Sequence, residues 1–132
     1  PQDPFIFQGS LSENLLLENT PLEQITPMLK EFKLDHLINR LSSYDNNSYI
    51  NTNELSSGEC KRLSIIRTLL KKSEVFIFDE PLTSIDSNTR NSVLNMIKDK
   101  TADKTLIIIT HDMEVAKIVD RVVDINKLNQ KE

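Results

Sequence analysis

The sequence predicts an α/β protein: a fragment of a parallel sheet with helices, plus a mostly helical subdomain. Three observations predict it. Val75 to Phe78 and Thr105 to Ile109 are short, continuous apolar runs, the pattern of strands buried on both faces of a parallel sheet. Helix-periodic segments alternate with them, and such alternation implies a parallel sheet with right-handed crossovers. Upstream of residue 60 the apolar residues instead recur every three or four positions, the mark of amphipathic helices.

Taken in order, residues 1–8 read as an extended loop, because Pro1 and Pro4 disfavour helix. Ser10 and Glu13 form a capping-box pattern that starts a short helix toward Leu17. Thr20, Pro21 and Glu23 repeat the signal as N-cap, first-turn proline and third-position glutamate. Leu22, Ile25, Leu29 and Phe32 follow at helical spacing, with Pro27 expected to kink or restart the helix. Leu34, Leu37, Ile38 and Leu41 make a second stripe, and the polar, Asn-rich segment from Ser42 to Asn53 reads as a loop. From Ser56 a helix is expected, with Leu63, Ile66, Leu69 and Leu70 on one side. The strand at Val75 to Phe78 closes in Asp79 and Glu80. Ser87 or Asn88 could cap the next helix, with Val93, Leu94 and Ile97 inward, and Asp86 also reads as a helix N-cap. Thr105 to Ile109 is a second buried strand, Met113 to Val119 a short helix, and Arg121 to Ile125 a third strand.

The length suits one domain, or one domain with a subdomain, and 38% hydrophobic residues support a small core. A net charge of −4 with scattered basic residues argues against a nucleic-acid partner, since phosphate backbones demand clustered Lys and Arg. Cys60 is the one cysteine, so it forms no internal disulfide, and it reads as a packing or surface residue. No apolar run reaches the roughly 18 residues of a membrane span. His36 reads as a surface residue.

Five segments carry chemistry. Pro1 to Phe7, with Gly9-Ser10-Leu11 and Glu13-Asn14, is followed by Leu55-Ser56-Ser57-Gly58-Glu59, Val75 to Glu80, Thr83-Ser84-Ile85-Asp86, and Ile109-Thr110-His111-Asp112. Two carboxylates ending an apolar strand suit metal binding and activation of water, and a helix opened by Ser56 to Gly58 offers free N–H groups to an anion. A histidine at a strand end can donate a hydrogen bond to a phosphate or hold a carboxylate in line. In this order the segments resemble the glutamine loop, signature motif, Walker B strand, D-loop and switch-histidine loop of ABC transporter ATP-binding domains of the exporter type. The likeness spans essentially the whole chain. Ser57 stands where the signature has its first glycine and Glu59 where it has glutamine. No G-x-x-x-x-G-K-S/T phosphate loop occurs, and the two glycines of the chain leave none for one.

The resemblance implies the C-terminal portion of an ABC-type P-loop NTPase domain. Residues 1–8 would be the glutamine loop, 9–60 a helical subdomain ending in the signature, and 61–132 the latter part of the ATPase core. It implies ATP and Mg²⁺ as ligands. Asp79 and Gln2 would serve the metal, with Glu80 as general base and His111 and Gln2 assisting. Ser56, Ser57, Gly58 and Glu59 would face nucleotide held by a second nucleotide-binding domain, with Asp86 bridging the two subunits. It further implies a transmembrane domain as partner, a place on the cytoplasmic face of the cell membrane, and export of a substrate. The chain alone is expected to be inactive, lacking the phosphate loop. The strand toward that loop would lie between 105–109 and 121–126, so the latter is expected to be displaced, frayed or abnormally paired. The head of an SMC-class DNA-repair or chromosome ATPase is the alternative, since it shares the order of signature and Walker B. Against it, only about fifty residues separate the glutamine loop from the signature, where that class places many coiled-coil heptads. A third reading makes the chain a binding piece that never turns over ATP.

Overall fold

The computed structural model describes residues 4–15, 20–41, 49–51 and 53–128. A short antiparallel pair, β1 (Gly9–Ser10) with β2 (Tyr49–Ile50), opens the fold. β2 falls in the segment expected to be loop; two residues are too few to leave a period-two signal. Between them lie α1 (Leu11–Asn14), α2 (Leu22–Glu31), a 3-10 turn (Asp35–Leu37) and α3 (Ile38–Leu41). Next come α4 (Ser57–Leu69), β3 (Val75–Asp79), α5 (Ser87–Lys100), β4 (Thr105–Ile109), a 3-10 turn (Met113–Lys117) and α6 (Ile125–Leu128).

The helix starts follow the capping chemistry. Ser10 accepts from the Glu13 N–H at 3.1 Å while the Glu13 carboxylate accepts from the Ser10 N–H at 2.7 Å. Ser56 and Glu59 repeat this at α4. α2 departs from expectation. Its N-cap is Pro21, extended at φ −60° and ψ 141°, with no side-chain cap, so Thr20 lies one residue outside. The helix also runs through Pro27 unbroken. Its buried stripe of Ile25, Met28 and Leu29, continued by Phe32, outweighs the one backbone bond that proline removes. Lys33 then turns left-handed at φ 55°, and Leu34 donates its N–H to the Leu29 carbonyl at 2.7 Å, a Schellman closure that buries Leu34. At α5 the cap is Asp86 rather than Ser87 or Asn88, its carboxylate accepting from the Thr89 N–H at 3.1 Å.

β3 and β4 pair in parallel register from Val75↔Thr105 to Asp79↔Ile109. Phe76 and Phe78 are buried in one continuous core with Leu63 and Ile66 of α4, Val93 and Ile97 of α5, and Ile25, Leu29 and Phe32. The opposite face corrects the expectation of strands buried on both sides. Ile77 is 61% exposed and Ile109 52%, beside exposed Val75 and Ile107. The buried apolar residues of α2, α4 and α5 belong to the single core on the other face, and this face is left exposed among the described residues.

Arg121 to Ile125 is not a strand. Residues 121–124 carry no regular structure and α6 begins at Ile125. A strand needs a neighbour to hydrogen-bond, and 121–126 has none among the described residues. Locally, Asp124 wins the competition for backbone donors: its side chain accepts from the Asn126 N–H at 3.0 Å and its carbonyl from the Lys127 N–H at 3.1 Å. Val122, Val123 and Ile125 are left exposed.

Candidate active site

β3 delivers Asp79 and Glu80 at its C-terminal end. The Glu80 N–H donates to the Ile109 carbonyl at 2.8 Å, which carries the β3–β4 ladder one residue past the strand. The backbone of Glu80 then takes φ 46°, a left-handed conformation that costs a non-glycine residue on the order of 1–2 kcal/mol. Buried Pro81 and Leu82 and a second left-handed residue, Ser84 at φ 65°, complete the turn toward Asp86. Strain at a carboxylate held by its surroundings is characteristic of functional sites.

Those surroundings come from the end of β4. His111 Nδ1 lies 2.7 Å from Glu80 Oε1, and the His111 N–H donates to the same oxygen at 3.1 Å. The Thr110 hydroxyl donates to Glu80 Oε2 at 3.0 Å. Partial burial pushes the Glu80 pKa up, but the hydrogen bonds from His111 and Thr110 outweigh it and hold the carboxyl below its ordinary value. Glu80 is therefore a fixed carboxylate with both oxygens aimed, while the His111 ring remains 87% exposed. Asp79 is exposed, and its carbonyl accepts from Lys61 Nζ at 3.3 Å.

The N-terminus of α4 is packed onto the same region. Gly58 is buried against the Ser84 carbonyl: a Cβ there would sit 2.5 Å from that oxygen, so only glycine permits the approach. Arg62 is buried and reaches Asp86 at 3.4 Å. The Asp86 carboxyl is lowered chiefly by the Thr89 hydroxyl, so Asp86 serves as helix cap and ion-pair partner together. His36, expected as a surface residue, is half exposed and pairs with Glu59 at 3.2 Å. Burial raises the Glu59 pKa, yet the Ser56 N–H and hydroxyl, aided by His36 and Arg62, bring it below its ordinary value.

Ser57, Lys61, Glu80, Ser84 and His111 line one cleft of about 360 Å³. Ser57 and Glu80 thus meet in it, while Asp79, Gly58, Glu59 and Asp86 are not among its lining residues. A hollow of about 390 Å³ beside Arg121 to Asp124 belongs to exposed residues outside every motif. Gln2 lies outside the described residues. No group of three or more metal-ligating side chains occurs among the described residues. Sequence reasoning missed Lys61 and Thr110 as members of the site. Thr110 was legible as the residue between the apolar run and His111; Lys61, one turn into α4, gave no signal of its own.

The α/β core thus brings together a carboxylate pair at a strand end, a histidine at the end of the neighbouring strand and a capped helix. The ABC transporter family model matches residues 1–83, and the chain belongs to that family. It is 36% identical over 128 residues to the pediocin PA-1 transport/processing ATP-binding protein PedD of Pediococcus acidilactici, covering 93% of this chain and 17% of that protein. It is 33% identical over 129 residues to the macrolide export ATP-binding/permease protein MacB of Bartonella quintana, covering 92% and 19%. The chain thus spans under a fifth of the length of these relatives. In fold it is similar to a bacterial Atm1-family ABC exporter solved with ATP bound, at TM-score 0.67 and 21% identity over 87% of this chain and 21% of that one. The relatives are transport proteins by name and lend the DNA-repair alternative no support. Among the described residues no helix is long and apolar enough to cross a membrane.

Proposed function

We propose that the chain is the latter part of the ATPase domain of an ABC exporter, and that the full-length protein hydrolyses ATP to drive a substrate across a membrane. The observation that carries this reading is Glu80: a strand-end carboxylate held in a strained backbone by His111 and Thr110, facing the start of α4 across one cleft. Bound MgATP would supply the γ-phosphoryl group to be transferred. Glu80 orients the attacking water and takes its proton at a carboxylate oxygen. With a pKa held low, its first contribution is a fixed negative charge that positions the water. His111 locks that carboxylate and keeps an exposed ring edge for a phosphate oxygen.

The donor set suits Mg²⁺. Magnesium keeps several waters and is bound by one or two carboxylates plus substrate phosphates rather than by an all-protein cage, and Asp79 is one exposed strand-end carboxylate with no metal-ligating cluster around it among the described residues. Gln2 would be the second contributor. Ser56, Ser57, Gly58 and Glu59 would present the α4 N-terminus, with its free N–H groups and dipole, to nucleotide held by a second nucleotide-binding domain. Asp86 would contact that partner beside Arg62. A transmembrane domain would take the exported substrate, placing this domain at the cytoplasmic face of the membrane.

Two neighbouring substitutions test the assignment in the full-length protein. Asp79→Asn is expected to weaken Mg²⁺-dependent nucleotide binding, whereas Glu80→Gln is expected to leave binding intact and stop turnover. Equal loss of nucleotide affinity in both would overturn the division of roles.

A further inference from the structure

Arg90 lies in the second turn of α5, outside every motif described above. Its Nε donates to the Ile85 carbonyl at 3.2 Å and its Nη1 to Asp112 Oδ2 at 2.6 Å. Glu114 stands 3.8 Å from the same nitrogen. A planar guanidinium is suited to this, because its donors are fixed relative to one another and can hold two acceptors from different segments at a set angle. The segments joined are the 83–86 turn and the loop that carries His111.

The contacts continue to Glu80. The Asp112 N–H donates to Thr110 Oγ1 at 3.0 Å. An amide N–H can only donate, so the hydroxyl accepts there, and its single proton is left for Glu80 Oε2 at 3.0 Å. Asp112 also caps the 3-10 turn Met113–Lys117 through Oδ1, accepting from the Glu114 N–H at 2.9 Å. Each carboxylate oxygen of Asp112 is thereby engaged, and the loop backbone between Thr110 and Glu114 is pinned from both sides. Arg90 and Asp112 are 31% and 20% exposed, so solvent screens their attraction and the value of the pair lies in geometry.

We propose that Arg90 is a positioning residue: through Asp112 and Thr110 it fixes the direction in which the Glu80 carboxylate points, and it ties that direction to the 83–86 turn. The inference rests on the reading of Glu80 as the group that orients water. Without the clamp, Thr110 and His111 would still be near Glu80, but the loop would hold several orientations in place of one.

The test uses the full-length protein, with ATPase kcat and KM for ATP measured for wild type, Glu80→Gln, Arg90→Gln, Thr110→Val, Thr110→Ser and the Arg90→Gln/Thr110→Val double variant. Arg90→Gln is expected to lower kcat about 10-fold, short of the ~10²-fold that a 1 Å misplacement can cost, with KM within about twofold. Thr110→Val should do the same and Thr110→Ser, which keeps the hydroxyl, should recover most of the rate. The double variant should be no slower than the slower single, because both break one chain of contacts. Arg90→Lys, measured alongside these, keeps the charge but lacks the fork and should fall with Arg90→Gln. If Glu80→Gln stops turnover while Arg90→Gln leaves kcat unchanged, or the double variant is fully additive, the inference is overturned and the ATPase reading stands. If turnover survives Glu80→Gln, the reading of Glu80 as the group that orients water fails and takes the inference with it, while the protein remains an ATPase.

Discussion

At the scale of single residues, the site depends on close approaches that only particular side chains allow. Gly58→Ala would place a methyl group 2.5 Å from the Ser84 carbonyl oxygen. Overpacking of this kind costs ~1–3 kcal/mol, and here it would push the 83–86 turn off α4. Urea denaturation of the purified protein should show that loss; unchanged stability would mean the turn yields freely. Asp79, Glu80 and His111 were legible in the sequence because polar residues at the ends of apolar runs announce themselves. The links of Arg90 and Lys61 were not, since each joins segments about twenty residues apart in sequence and leaves no periodic trace. Asp86 was legible as an acidic residue before a helix, but the choice among Asp86, Ser87 and Asn88 as cap needed the backbone.

At the scale of elements, capping and proline chemistry make opposite contributions. Glu59 has a folded pKa below its ordinary value of 4.5. A carboxyl lowered on folding binds fewer protons in the native state, so its stabilising effect is present above the unfolded pKa and lost as pH falls through the folded one. Glu59→Gln keeps the capping box, which accepts either residue, but removes the charge. Melting curves should therefore show a modest loss of stability at pH 7, where the charge contributes, and a shallower further loss as pH falls below ~4.5, so that the two proteins converge in acid; an unaltered acid limb would show that Glu59 is not the titrating group. Pro27 is the converse case. It is exposed in the middle of α2 and deprives the Glu23 carbonyl of its helical partner. Pro27→Ala should stabilise by ~1–3 kcal/mol, read as a higher midpoint in thermal unfolding. The sequence suggested a break at Pro27 because local chemistry disfavours it there; the apolar stripe on either side decided otherwise. The strand read at 121–125 from its local pattern does not form, in line with the companion expectation that 121–126 would be displaced or frayed for want of its neighbour.

At the scale of the whole molecule, the sheet explains why the chain reads as part of something larger in sequence and in structure alike. The runs at 75–78 and 105–109 are apolar on both faces, yet one face, bearing Val75, Ile77, Ile107 and Ile109, is exposed. Apolar strands of this kind suit a sheet with helices on both sides, so the class of fold was legible from the runs while the covered face was not. One cleft gathers Glu80, His111 and the start of α4, but the sequence holds no G-x-x-x-x-G-K-S/T cradle. The isolated chain is accordingly expected to show no saturable binding of MgATP by calorimetry, and clear binding would mean that the cleft holds nucleotide unaided. The most direct measurement is made on the full-length protein carrying Glu80→Gln: steady-state ATPase rate together with ATP-dependent association of the nucleotide-binding domains by light scattering. The account predicts turnover reduced by at least ~10²-fold, with ATP still bound and the domains held together. Near-normal turnover in that variant would contradict it.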